Sequence, residues 1–302
     1  MSDSVNNRPA QAAISMLFAM TVIGLIDNFV AIISTHVGLW QFHAMRSTLM
    51  VPLLVAMAAF GLGSLRPNNW RPVFARATVL SISMMLYFGS LGIMPISQAL
   101  AGLFTSPIFV LLINVVVMKQ RIGPFRIAAV FLGFAGTLLV LQPGSDGFGP
   151  LMLMPVLAGF FYAISAIATR SWCAGESATS LLAANMLLLG CIGLTVSVLF
   201  GVFGDASETH FLLRGWTWEM MPALPWAVVQ AVGSVTGVFF IIRAYQLDEP
   251  TNVAVFEYAV MIFGPGFAWL ILGQSLEPLQ GVGIAMISAA GLIISIRARK
   301  GN

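Results

Sequence analysis

The sequence predicts an all-α membrane protein: ten transmembrane helices in two inverted five-helix repeats, with both termini cytoplasmic. Three observations lead there. The 302 residues are 59% hydrophobic and only 8% charged, too little polar surface to keep a globule of this size dispersed in water. Ten apolar runs of about 20 residues recur along the chain, each long enough to cross roughly 30 Å of hydrocarbon at about 1.5 Å per residue. The basic residues are unevenly shared between the connectors.

The spans are expected at 13–33, 40–62, 73–92, 96–117, 125–142, 150–169, 179–203, 223–245, 251–273 and 279–297. Turn residues mark the breaks, as in Arg66-Pro67-Asn68-Asn69, Gln142-Pro143-Gly144-Ser145-Asp146-Gly147 and Asp248-Glu249-Pro250. The connectors are too short for a soluble domain. The chain therefore divides into a tail at 1–12, a first repeat over 13–142, a second over 150–297 and a tail at 298–302. The first apolar run lacks a small-residue cleavage site and leads straight into another span, so it is expected to be retained and not to act as a signal peptide.

With the N-terminus in the cytoplasm, Arg8, Arg66, Arg71, Arg76, Lys119, Arg121, Arg126, Arg170, Arg243, Arg297, Arg299 and Lys300 fall on the cytoplasmic side. These are 12 of the 14 basic residues, Arg46 and Arg214 being the exceptions. The opposite orientation would break the positive-inside rule at nearly every loop. The expected location is the inner (plasma) membrane, with the lipid bilayer and a small-molecule substrate as partners. The net charge of +3 follows from the same bias, and no connector carries a basic run, so nucleic acid is not an expected partner. Cys173 in a connector and Cys191 within a span suit neither a disulfide nor a metal site, and no cofactor is expected.

The stretch from Met94-Pro95 to Leu141 resembles that from Glu249-Pro250 to Ile296: a helix, a polar break, then a Gly-rich helix. At the breaks stand Lys119-Gln120-Arg121-Ile122-Gly123-Pro124 and Gly273-Gln274-Ser275-Leu276-Glu277-Pro278, with Gln120 matching Gln274 and Pro124 matching Pro278. Each half holds an odd number of spans, so the second enters the membrane from the opposite side, which makes the repeats inverted. Pro52, Pro107, Pro155 and Pro265 lie inside spans. They are either ordinary transmembrane prolines or, for Pro107 and Pro265, bends in cavity-lining helices. The spacing Gly233-Ser234-Val235-Thr236-Gly237 lets two helix backbones approach closely, more readily within the chain than between copies, so a monomer or weak dimer is expected.

A charged side chain inside a span costs at least about 2.5 kcal/mol on insertion scales, so it needs a partner or an aqueous cavity. Asp27, Arg46 and Glu257 are such residues. Asp27 and Arg46 each lie about 9 Å below the same face and are placed either to lock the first two helices together or to meet substrate, Arg46 an anion and Asp27 a cation or proton. His43, one turn before Arg46, shares its helical face. Tyr87 and Gln98 fall at similar depth and extend this polar layer. Near the other side, Glu257, Tyr258 and Tyr162 form a second one. Asp27 and Glu257 are the proton-coupling candidates, and Glu257 has as its alternative a structural role, capping backbone donors or pairing with Arg243. Aromatic walls with acidic groups would favour an amine through cation–π attraction, whereas Arg46 argues for a zwitterion or an anion.

Asp27, then Trp40-Gln41-Phe42-His43-Ala44-Met45-Arg46, then Phe256-Glu257-Tyr258, resemble the ten-helix drug/metabolite transporter superfamily with EamA-type repeats over nearly the whole chain. Asp27, Arg46 and Glu257 stand where that family carries an aspartate in helix one, the arginine of a Gln-x-x-x-x-Arg start to helix two, and a Phe-Glu-Tyr opening to helix nine. Ala31 replaces a lysine common in relatives, and Gln120 and Gln274 replace a glutamate. The resemblance implies a central cavity between the repeats and a secondary carrier of a small metabolite.

The expected function is therefore a secondary active, alternating-access transporter of a small polar, zwitterionic or amine-type metabolite, driven by a gradient or by exchange, with proton coupling as one form. A passive facilitator or channel is the alternative. The sequence has no Gly-x-x-x-x-Gly-Lys-Ser/Thr loop for an ATP-driven pump, and neither a His-Glu-x-x-His helix nor a Gly-x-Ser-x-Gly turn for an enzyme.

Overall fold

The computed structural model describes residues 8–93, 96–119, 123–141, 151, 153–205, 208–272 and 278–300, and among these the ordered elements are helices. The chain runs α1 (Pro9–Asp27), α2 (Val30–His36), α3 (Leu39–Ala59), α4 (Trp70–Leu91), α5 (Ile96–Leu103), α6 (Ser106–Leu112), a π-helical turn (Ile113–Val117) and α7 (Pro124–Leu141). The second half follows with α8 (Leu153–Ser171), α9 (Ala178–Phe203), α10 (Leu224–Leu247), α11 (Pro250–Val253), a 3₁₀ segment (Ala254–Ala259), α12 (Val260–Leu272) and α13 (Pro278–Lys300). The polar breaks with Gln120 and Gln274, and the connector at 142–147, lie outside the described residues.

Among the described residues six helices are long and apolar enough to cross a membrane: Pro9–His36, Leu39–Ala59, Trp70–Leu91, Leu153–Ser171, Ala178–Phe203 and Leu224–Leu247. They correspond to the predicted spans one, two, three, six, seven and eight. Of the other four predicted spans, the fifth and tenth are the continuous helices α7 and α13, and the fourth and ninth are interrupted, each with a local cause. The fourth breaks at Phe104-Thr105, where α5 ends and α6 begins with Ser106 and Pro107. Pro107 thus starts a helix, where its missing N–H costs nothing, and does not bend a continuous one. The ninth passes through α11 and the 3₁₀ segment before α12, and Glu257 stands on that segment. The first span also falters, at Asn28-Phe29, and Asp27 is the last residue before the break.

Each helix of one half packs chiefly on a helix of the other: α1 on α10, α3 on α9, α4 on α8, α7 on α13. Small residues permit these approaches. A β-carbon on Gly233 of α10 would collide with Ile26 of α1, and one on Gly24, where α1 also meets α12, would come within 2.8 Å of the Gly264 nitrogen. The Gly233–Gly237 spacing thus serves packing against α1 within the chain.

The two ends of the bundle differ in charge. At one, Arg8 N–H donates to Leu247 O (2.9 Å), and the Glu176 carboxylate accepts from Asn68 N (2.9 Å) and Asn69 N (2.7 Å). Arg66, Arg71, Arg170 and Arg243 stand on or beside these segments. At the other end, Leu39 N–H donates to Phe211 O (2.9 Å), and Gln41 grips Thr217, accepting from its N–H (2.9 Å) and donating to its carbonyl (2.7 Å). Arg214 is on that side, donating to Thr35 O (3.3 Å). Arg76, counted among the basic residues of the first end, is buried within α4, only 3% exposed.

Candidate functional site

A cavity lies inside the bundle, with walls from α1, α3, α4, α5, α6, α8, α9, α10 and the 3₁₀ segment. Four ionisable side chains of opposite sign line it, Asp27 and Arg46 together with Arg76 and Glu257. All four are buried, none more than 6% exposed. In a low-dielectric interior such groups are tolerated only where hydrogen bonds or countercharges hold them.

Asp27 ends α1, and its carboxylate accepts a 2.8 Å hydrogen bond from the Tyr87 hydroxyl of α4. Arg46 is within electrostatic reach of Asp27, but the direct ion pair considered from the sequence is not formed. Its guanidinium instead lies over the rings of Phe88 (4.6 Å) and Phe42 (5.3 Å). No described residue hydrogen-bonds to it, and its Nε is fully buried without a partner.

The Glu257 carboxylate is saturated by comparison. Oε1 accepts from Tyr245 (2.6 Å) and Tyr162 (2.8 Å), and Oε2 from Ser106 (3.4 Å). Both interrupted spans meet here, because Ser106 opens α6 and Glu257 sits in the 3₁₀ segment. Arg243, the alternative partner for Glu257, donates to Gln246 Oε1 (3.5 Å). Arg76 donates to Thr169 Oγ1 (2.7 Å) and Leu181 O (3.5 Å).

Of the residues singled out from the sequence, the cavity brings together Asp27, Arg46, Tyr87, Tyr162 and Glu257. His43 and Tyr258 are not among its lining. His43, 1% exposed with both ring nitrogens unpartnered, packs edge-on to Phe88 (5.4 Å between centroids) and beside Gly193 of α9. Tyr258 turns to α7, its hydroxyl 3.5 Å from Val130 O. The Gln98 side chain lies outside the described residues. The sequence reading missed Arg76, Tyr245, Ser106 and Thr169. Arg76 had a signal, a charged group about two turns inside an apolar helix, masked by its nearness to Arg71; Tyr245, two residues before the end of α10, had none.

The two halves match a known family: residues 10–142 and 149–296 each correspond to "EamA-like transporter family". A "Riboflavin transporter" of Rhizobium johnstonii is 29% identical, the match covering 86% of this chain and 80% of that protein. A "Riboflavin transporter" of Vibrio cholerae is 24% identical (89% and 88%), and an "S-adenosylmethionine uptake transporter" of Rickettsia prowazekii 22% identical (83% and 80%). A protein of known crystal structure superposes with a TM-score of 0.74 at 18% identity, covering 95% of this chain and 98% of that one, a likeness of fold.

Proposed function

The chain belongs to the EamA-like transporter family, and from that premise we propose that it is an alternating-access carrier driven by a solute gradient or by exchange. It is a multi-pass inner-membrane protein and a transporter of small metabolites, not an enzyme. The finer reading has ten spans in two inverted repeats, over 13–142 and 150–297, both termini in the cytoplasm, and a substrate cavity between the halves. The substrate is a small polar metabolite that meets Asp27, Arg46, Tyr87, Tyr162 and Glu257, and Asp27 and Glu257 are the groups through which a proton would couple.

The observation that carries this reading is the buried cavity lined by charged residues of both family-matched segments. A bundle with a purely structural role gains nothing from four ionisable groups held inside it. Two further features support the reading. The packing of α1 on α10 and of α4 on α8 is one contact seen twice if the repeats are related by a two-fold axis, and α3 on α9 and α7 on α13 are then self-matched. The arginine-rich end also carries the N-terminal end of α1, which agrees with a cytoplasmic N-terminus.

The test is reconstitution. A thermal-shift screen of the purified protein against amino acids, amines, carboxylates and nucleoside-like metabolites selects a ligand, because binding raises apparent stability. That ligand, radiolabelled, should enter proteoliposomes saturably and show counterflow when they are preloaded with unlabelled ligand. Flux that rises linearly with concentration and shows no counterflow would replace the carrier with a pore.

A further inference from the structure

The hydrogen-bonding demand inside the cavity points to the class of solute, an inference that rests on the carrier reading. Asp27 is engaged by Tyr87, Glu257 by Tyr162, Tyr245 and Ser106, and Arg76 by Thr169 and the Leu181 carbonyl. Arg46 alone among the four is buried without a hydrogen-bond acceptor among the described residues, and its guanidinium lies over the Phe88 ring. A buried guanidinium has five N–H donors to satisfy. An amine entering this cavity would have to break tyrosine–carboxylate bonds already made, whereas an anion answers a need left open.

Between the charged groups the walls are mostly apolar, with Leu80, Met84, Met186 and Ile241 among them, and are broken by Asn185 and Ser234. A small, strongly hydrated anion would lose its water there with little to replace it. An anion with a hydrocarbon or aromatic body would not.

Charge balance adds a second element. Two guanidinium groups face two carboxyl groups, so the ionised cavity is neutral, and a monoanion would leave it with one uncompensated negative charge in low dielectric. The titratable and charged groups that bear on Asp27 are Arg46 from α3 and Tyr87 from α4, with the neutral Gln230 of α10 beside them; Glu257 and Tyr245 line the cavity towards its opposite end, α2 has only His36, and α12 has none. An anion seated on Arg46 takes over the countercharge role that Asp27 holds. We propose that the cavity binds an organic anion with an apolar body, its carboxylate or an equivalent group on Arg46, and that one proton enters with it onto Asp27.

The experiment uses the full-length purified protein with four probes of one shape: 3-phenylpropionate, 3-phenylpropylamine, phenylalanine and 3-phenylpropanamide. The acid should raise the melting temperature at concentrations about 10- to 100-fold below those needed by the amine or the amide. In weakly buffered solution its binding should consume about one proton per molecule bound. Arg46→Gln should abolish the shift and Arg46→Lys should weaken it, with the ligand-free melting temperature of each variant reporting its fold. Asp27→Asn should separate the two effects, keeping the shift and losing the proton uptake.

Tighter binding of the amine, an acid shift unchanged in Arg46→Lys, or no acid shift at all would overturn the anion class. Acid binding without proton uptake would overturn the coupling. If the acid binds through Arg46 but its flux is linear without counterflow, the carrier reading fails and the anion site stands. If the amine but not the acid shows saturable counterflow, the reverse holds.

Discussion

The Tyr245 hydroxyl donates a 2.6 Å hydrogen bond to the Glu257 carboxylate, tying the last turns of α10 to the 3₁₀ segment that interrupts the ninth predicted span. Tyr162 from α8 and Ser106 from the start of α6 complete the set, so one carboxylate gathers four chain segments. Removing it strands three hydroxyl donors, those of Tyr245 and Ser106 buried and costing about 1–3 kcal/mol each. Glu257→Ala should therefore lower the melting temperature of the ligand-free protein well below that of Glu257→Gln, whose amide oxygen still accepts from Tyr245 or Tyr162. Equal melting temperatures would show that Glu257 does not organise these segments.

Gln41 holds the 208–223 segment against α3 through paired hydrogen bonds to Thr217. Each is worth about 1 kcal/mol net, so Gln41→Ala, which removes both, should speed hydrogen exchange at the Thr217 amide by roughly 30-fold and expose the segment to protease. Gln41→Glu keeps the acceptor for Thr217 N–H and should fall between the two. An exchange rate unchanged by Gln41→Ala would mean that the segment is held elsewhere.

The approach of α10 to α1 depends on Gly233, where a side chain would collide with Ile26. Gly233→Leu should destabilise the protein by about 1–3 kcal/mol, the usual cost of overpacking. Gly281→Leu, at a position with open space around its β-carbon, is the control and should leave the melting temperature within about 2 °C of the parent.

Cys173, just beyond α8, is 1% exposed, and burial pushes its thiol up to about 11. At pH 7 only about one thiol in 10,000 would be thiolate, so it should resist maleimide in the folded protein and react once the protein is unfolded. The same protein labelled after unfolding supplies the internal comparison, because Cys191, though on the surface of α9, lies within a span. Mass spectrometry of the labelled protein would decide it, and rapid native labelling of Cys173 would show that the connector after α8 opens.

The interior charges were legible where they broke an apolar run, as Asp27, Arg46 and Glu257 do. The same logic failed for Arg76, because five residues from Arg71 looks like a helix end when hydropathy is averaged, although α4 has already begun at Trp70. His43 went the other way. Sharing a face with Arg46 is a statement about angle on one helix, and α9 packs close enough at Gly193 to take the histidine out of the cavity.

The sequence by itself determined that the chain is helical, apolar along most of its length, internally duplicated and asymmetric in its basic residues, because these follow from composition and local periodicity. Only the tertiary structure decided which polar groups meet: that Tyr87 and not Arg46 bonds Asp27, that Tyr245 joins Tyr162 on Glu257, and that Arg46 is left facing Phe88 with its donors unspent. Partner choice among buried polar groups depends on which helices of the two halves pack together, and no pattern within a single helix encodes that.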